Sequence, residues 1–266
     1  MIKNNIFLWI LSIVITLISV IYQRVTGPTY PLKSSVSIDQ EKVSFKLHRS
    51  HSGKEDHIVR ILVSNPKIQG KILWKRYPIK EEWKEVPMLR EGEFLTGNLP
   101  NQPPAGKVEY KVFLSTISQQ FPLNGEKSII LRFKGDVPFY YLLPHIVLIF
   151  LGMLFSMRAG VETLSRNQNA KTLAIYSLLL ILIGGIVFGA IIQKYAFGAY
   201  WTGFPVGNDL TDTKTLVAFL FWVIAIVQNR KGKESKKWIL AASLVTLVVY
   251  LIPHSVLGSE LDYTKQ

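Results

Sequence analysis

Apolar residues along this chain gather into five runs, at about 6–22, 139–157, 172–192, 213–228 and 237–252. Most are near the roughly 20 residues that a helix needs to cross a bilayer's hydrocarbon core; the run at 213–228 is short. Between the first and second runs the pattern changes. From 43 to 134, short stretches rich in Val, Ile, Phe, Tyr and Leu are separated by turn clusters at 50–53, 65–66, 90–92 and 101–106, the signature of successive strands. About seven strands are expected. Residues Lys71 to Tyr77 mostly alternate between polar and apolar, and Val108, Tyr110, Val112 and Leu114 form a one-faced apolar row, as half-buried strands do. The fold class expected is a membrane protein: an α-helical bundle of five transmembrane helices with an extracytoplasmic all-β sandwich domain. Its parts are an anchor at 1–30, the sandwich at 34–136, a four-helix membrane domain at 137–258 and a tail at 259–266.

The flanks of the apolar runs suggest an orientation. Lys3 precedes the first run, and Tyr22-Gln23-Arg24-Val25-Thr26-Gly27 after it lacks a small-x-small cleavage pattern, so an uncleaved anchor is expected. Arg158, Arg166 and Lys171 fall between the second and third runs, and Arg230, Lys231, Lys233, Lys236 and Lys237 between the fourth and fifth. Short loops rich in Lys and Arg stay on the cytoplasmic side. The N-terminus is then inside, and the β domain, the 193–212 loop and the tail from His254 are outside. A bacterial cytoplasmic membrane is the expected location. Gly185 and Gly189 stand at GxxxG spacing, which permits close helix approach.

Composition adjusts this picture in two places. The formal charge is +13, yet no nucleic-acid motif accompanies it, and many cations sit at the ends of apolar runs or alternate along strands as a solvated face. The partners expected are the lipid bilayer and other membrane or periplasmic proteins, with no nucleic acid. The chain has no cysteine, which removes disulfides, thiolate metal sites and cysteine nucleophiles. Walker, Gly-x-Ser-x-Gly, His-Glu-x-x-His and dinucleotide glycine patterns are missing. Glu162, Asp209 and Asp212 are read at or beyond helix ends, which disfavours ion-coupled transport.

Candidate chemistry gathers at the outer ends of the apolar runs. The 196–215 segment combines Tyr200, Trp201, Asp209, Asp212 and Lys214 with several glycines. It reads either as a loop offering aromatic faces to a flat ligand, or as an interfacial aromatic belt with Asp212 or Thr211 capping the next helix. His145 lies about 10 Å into its helix by the rise per residue, where a histidine is a functional candidate or a bond to a neighbouring carbonyl. With His254 it forms a candidate axial pair for haem b, and either histidine is also a candidate quinone partner. Glu260 and Asp262 follow His254 closely, but their spacing fits no standard zinc pattern, and a loose polar tail is expected. His48, His51 and His57 read as solvated turn residues.

Two resemblances add expectations. Leu99-Pro100 through Pro104-Ala105-Gly106 to Tyr110 resembles the approach to the tyrosine-bearing strand of fibronectin type III and immunoglobulin-like sandwiches, which implies a binding or spacing module. Gly198, Tyr200 and Trp201, followed after an insertion by Asp212, Lys214, Thr215 and Trp222, are similar to the tryptophan-rich segment of cytochrome c assembly membrane proteins, which implies haem handling. The chain departs from that pattern at Gly203 and lacks a contiguous Trp-Asp-Pro-Lys core. The function expected is a membrane accessory or assembly subunit whose β domain and outer loop bind a partner or ligand. The alternative is a haem b or quinone protein of electron transfer or cytochrome maturation.

Overall fold

The computed structural model describes residues 5–39, 41–165, 169–230 and 236–263. They divide into two compact units, one made of the residues up to Pro28 with Val137–Ser259, the other of Thr29–Asp136 joined by Glu260 and the residues after it.

The first unit is helical. α1 (Asn5–Thr26), α2 (Phe139–Thr163), α3 (Ala170–Phe197) and α4 (Leu210–Arg230) each supply a span long and apolar enough to cross a bilayer. α5 (Lys236–Leu251) has 16 residues, about 24 Å by the helical rise, and is shorter than those four. The first four helices are longer than the apolar runs that announced them. α2 continues past Met157 to Thr163 and buries both Arg158 and Glu162, so Arg158 is no loop cation and Glu162 lies within its helix. Arg166, Lys231 and Lys233 lie outside the described residues.

Helix contacts in this unit use small residues and internal hydroxyls, as packing between apolar helices requires. α1 turns Leu8, Ser12, Thr16 and Ser19 inward, and each hydroxyl bonds back to the carbonyl four residues earlier, which satisfies it without a partner helix. A Cβ on Gly160 would fall 2.7 Å from that of Ser243, so α2 and α5 touch backbone to side chain there. The middle of α3, Ile181–Phe188, is π-helical. The close approach centres on Gly184 and Gly185 rather than on the 185/189 pair: an added Cβ at Gly184 would meet Leu148 Cβ at 2.7 Å, while at Gly189 the nearest atom is 3.9 Å away.

Among the described residues the second unit has ten strands: β1 (Leu32–Ile38), β2 (Glu41–Leu47), β3 (Ser50–Ser52), β4 (His57–Leu62), β5 (Gln69–Tyr77), β6 (Lys84–Glu91), β7 (Phe94–Leu99), β8 (Lys107–Ser115), β9 (Gln120–Glu126) and β10 (Ile129–Lys134). Alternation shows where it was expected: Val108, Tyr110, Val112 and Leu114 of β8 all face the core. Each such side chain contributes roughly 1.5–3 kcal/mol by leaving water. β8 pairs with β5 along its length, with β10 at its start and with β9 at its end.

The expected sandwich of two separate sheets is not what these strands make. The hydrogen-bonded order runs unbroken as β3-β10-β8-β5-β6-β7-β4. The β1–β2 hairpin lies beside β4 on one side and β9 on the other, so the ring is barrel-like and nearly closed. The reason lies in β6. Its first residues pair with β5 and its last three with β7, and Pro87, which has no N–H to give a ladder, sits just before the changeover. Gly92, with φ of +61°, then makes the two-residue turn from Glu91 to Phe94 that a glycine at the first central position permits.

Tyr110 is fully buried and its hydroxyl donates to the His48 carbonyl at 2.7 Å. Tyr110→Phe keeps the ring and strands that carbonyl, so the β unit is expected to lose about 1–2 kcal/mol, read as faster amide exchange in β8 and β10.

Candidate functional site

Asp209, expected to contact a ligand, stands immediately before α4 and is buried. Its Oδ1 accepts the Thr211 N–H at 2.8 Å, and the Thr213 hydroxyl donates to its backbone carbonyl. It is therefore the residue that caps α4, a role the sequence suggested for Asp212 or Thr211. Its Oδ2 accepts from the Ser259 N–H and hydroxyl, both at 2.9 Å, and from the Thr202 hydroxyl at 3.4 Å. Asp212 holds the loop instead. Its Oδ2 accepts from the Thr202 N–H at 2.7 Å and the Gly203 N–H at 3.1 Å. Glycine is required at 203, because a Cβ there would lie 2.6 Å from that of Asp212.

Gln193, buried at the end of α3, donates to the Thr202 hydroxyl at 2.6 Å and to the Ser259 hydroxyl at 3.0 Å. The Leu210 N–H reaches the Leu257 carbonyl. Lys214, also buried, donates to the Ile252 carbonyl just beyond α5, where a cation satisfies the unpaired end of the helix. The loop, the start of α4 and the 252–259 stretch are thus one hydrogen-bonded closure at this end of the bundle. The polar groups expected to line a cavity bond to one another.

The histidines take different positions. His145 is half-buried, with Nδ1 2.8 Å from the Gly184 carbonyl, in the π-helical stretch of α3. This is the neighbouring-carbonyl bond weighed against a ligand role, and it ties α2 to α3. His254 stands just beyond α5 and is exposed. The aromatic faces are engaged locally. Trp201 Nε1 donates to the Phe204 carbonyl at 3.1 Å, and the Lys194 ammonium lies 5.5 Å from the ring centre of Tyr200, a residue exposed on the surface.

Glu260 belongs elsewhere. With the second unit it forms an ion pair with Lys107. Beside it the Leu261 N–H donates to the Ala105 carbonyl at 3.2 Å, and the Tyr263 hydroxyl donates to the Lys107 carbonyl and receives the Lys107 N–H, both at 3.0 Å. Burial moves the Tyr263 phenol above its ordinary range, against the bond from the Lys107 N–H, which lowers it. Residues 260–263 form a strap on the β unit where a loose polar stretch was expected, and among the described residues no cluster of three or more His, Asp or Glu side chains could hold a metal.

Two groupings escaped the sequence reading. Arg158 and Glu162 form a buried ion pair four residues apart. His57, read as a solvated turn residue, is buried, with ring centres of His48 and His51 at 5.4 and 5.1 Å. The signal for His57 was available: Val59 and Ile61 follow it at strand spacing on the inward face.

Together these features define a class, a protein with four helices, among the described residues, long and apolar enough to cross a membrane, joined in one chain to a β unit. Comparison with protein-family models, curated proteins and solved structures finds no match to the chain.

Proposed function

We propose that the chain is a multi-pass membrane accessory subunit whose extracytoplasmic β unit binds a ligand or partner, with the helices serving to hold that unit at the membrane. The observation that carries this reading is the strap formed by Glu260, Leu261 and Tyr263. The chain leaves the β unit at Asp136 and returns to it at Glu260, and a segment packed on the unit lies on the same side of the bilayer. An even number of crossings therefore separates the two points. α2, α3 and α4 make three, so α5 is the fourth and, with α1, the fifth crossing overall; slight bilayer thinning accommodates its length. Lys171 and the Lys236–Lys237 pair then flank cytoplasmic turns, which supports an N-terminus inside and the β unit outside, in a bacterial cytoplasmic membrane. That the acids of the outer loop serve as cap and clasp supports a scaffold there rather than a catalytic site.

Because the chain has no cysteine, single cysteines report topology cleanly. Ser118→Cys and Ser255→Cys are expected to react with a membrane-impermeant maleimide applied to intact cells, and Lys171→Cys and Lys236→Cys only after permeabilisation. Equal labelling at 236 and 255 would overturn the five-crossing reading. The haem alternative is tested on protein purified in detergent after expression with haem. A spectrum without a Soret band is expected, and a band that disappears in His145→Ala would replace the present reading.

A further inference from the structure

Among the described residues the β1–β2 hairpin makes no ladder with either neighbour, so the nearly closed ring is open on both sides of it, and the seam at β4 is the one with a groove. β2 runs beside β4 without a ladder between them among the described residues, and a groove of about 660 Å³ lies there, lined from β1, β2, β4 and the start of β7. This is the size range of ligand sites. Its charged lining is uniform: Lys33, Lys42, Lys46 and Arg60, with no acid among the lining residues. The 29–136 segment as a whole carries 12 Asp and Glu against 18 Lys and Arg. Glu41, adjacent to Lys42, is turned away, its carboxylate accepting from the backbone N–H groups of Ser64 and Asn65.

The cations are arranged at a cost to the fold. Lys33 and Lys46 stand directly opposite each other in the β1–β2 ladder, a like-charge placement that destabilises a sheet. None of the four cations forms an ion pair among the described residues. Arg60 is stacked on Phe94, its guanidinium carbon 3.9 Å from the ring centre, which fixes its planar fork of donors in advance. Ser34, Ser35 and Ser44 line the same groove. Lys42 and Lys46 are four residues apart on one face of β2, about 13 Å by the strand rise. A single small anion does not span that distance, whereas a chain of charged groups does.

We propose that this seam binds a polymer of phosphate groups lying along β2, with Arg60 and the serine hydroxyls fixing one phosphate and Lys33, Lys42 and Lys46 its neighbours. The proposal deepens the binding role assigned to the β unit and rests on it. Tetrahedral phosphates accept from several donors at once, which suits a groove offering hydroxyl, guanidinium and ammonium groups together.

The test uses the full chain in phosphatidylcholine nanodiscs, titrated with sodium polyphosphate of about ten units, long enough to span the cations at the strand spacing. Binding is expected at about 50 mM salt, falling with salt at a log–log slope of roughly −3 if all four cations engage. Lys46→Glu is expected to weaken it at least tenfold while leaving the melting temperature unchanged or raised, because the new carboxylate faces Lys33 across the ladder. Lost binding with lost stability would mark a folding defect, and Arg60→Gln, outside the hairpin, must then reproduce the weakening or the proposal fails. Absence of polyphosphate binding, an unchanged affinity in Lys46→Glu, equal affinity for poly-glutamate, or capture by phosphatidylglycerol vesicles without polyphosphate binding would each overturn it. Cysteine labelling that reverses the topology would sink the proposed placement and leave the groove's affinity intact, so the two failures are distinguishable.

Discussion

Glu162→Ala is expected to be the most damaging single substitution in the helical unit, costing about 3–5 kcal/mol. Arg158 and Glu162 are almost wholly buried, at 1% and 0% exposure, and are each other's charge partner. Arg158 Nη2 also donates to Asn5 Oδ1 of α1 at 2.6 Å, and its guanidinium carbon lies 5.3 Å from the Trp9 ring centre. The other oxygen of Glu162 accepts the Asn169 N–H ahead of α3. Removing the carboxylate leaves a buried guanidinium with no ion pair among the described residues, in surroundings where desolvation is severe. Arg158→Ala does the reverse and is expected to cost a similar amount. The double variant Arg158→Met, Glu162→Leu removes both charges and refills the volume, and should recover most of the loss. Thermal unfolding in detergent decides it: if the double variant is no better than either single one, the pair is not what makes the single substitutions costly.

That pair also marks where sequence reading stops. Hydropathy finds a span by its apolar run, so it ended α2 near Met157 at the first charge and read Arg158 as a topology signal. Two opposite charges at i and i+4 on a helix neutralise each other, and a buried pair of this kind extends a helix that composition has already closed. The same logic limited the outer loop. Asp209, Asp212 and Lys214 were singled out as unusual, but their partners are Ser259, the Thr202 and Gly203 amides and the Ile252 carbonyl, of which Ser259 and Ile252 are brought in only by the return of the chain after α5. In the β unit, period-two alternation made β8 plain. Strand order was not legible, because it depends on pairings between segments far apart in sequence. β1 was missed altogether: Leu32-Lys33-Ser34-Ser35-Val36-Ser37-Ile38 has too few apolar residues to signal a strand, and it is the strand whose polar face opens on the cationic seam.

Acidification is expected to destabilise the β unit by about 3 kcal/mol between pH 6.5 and pH 4, through His57. Burial, and then the neighbouring His51 and His48 rings, push this imidazole down to about 4. Its Nδ1 lies 3.3 Å from His51 Nδ1, while its Nε2 is buried without a partner. Burial and the charge of Lys46 lower His48 as well, so neither neighbour offers the negative charge that would ease protonation. The direction follows from where the protons go. In the unfolded chain His57 takes up its proton near pH 6.5, and in the folded unit only near 4, so between those values the unfolded state holds more protons. The stability that the neutral imidazole preserves is therefore complete above about pH 6.5, declines as the pH falls, and is lost once the pH passes below about 4. Hydrogen exchange of the full chain, corrected for the intrinsic pH dependence of amide exchange, should show β4 and β7, paired at His57 and Leu99, losing protection across this window. His57→Leu, which fills the site with an apolar side chain, should flatten that dependence. An acid response that survives in His57→Leu would assign it to other groups and remove His57 as its source.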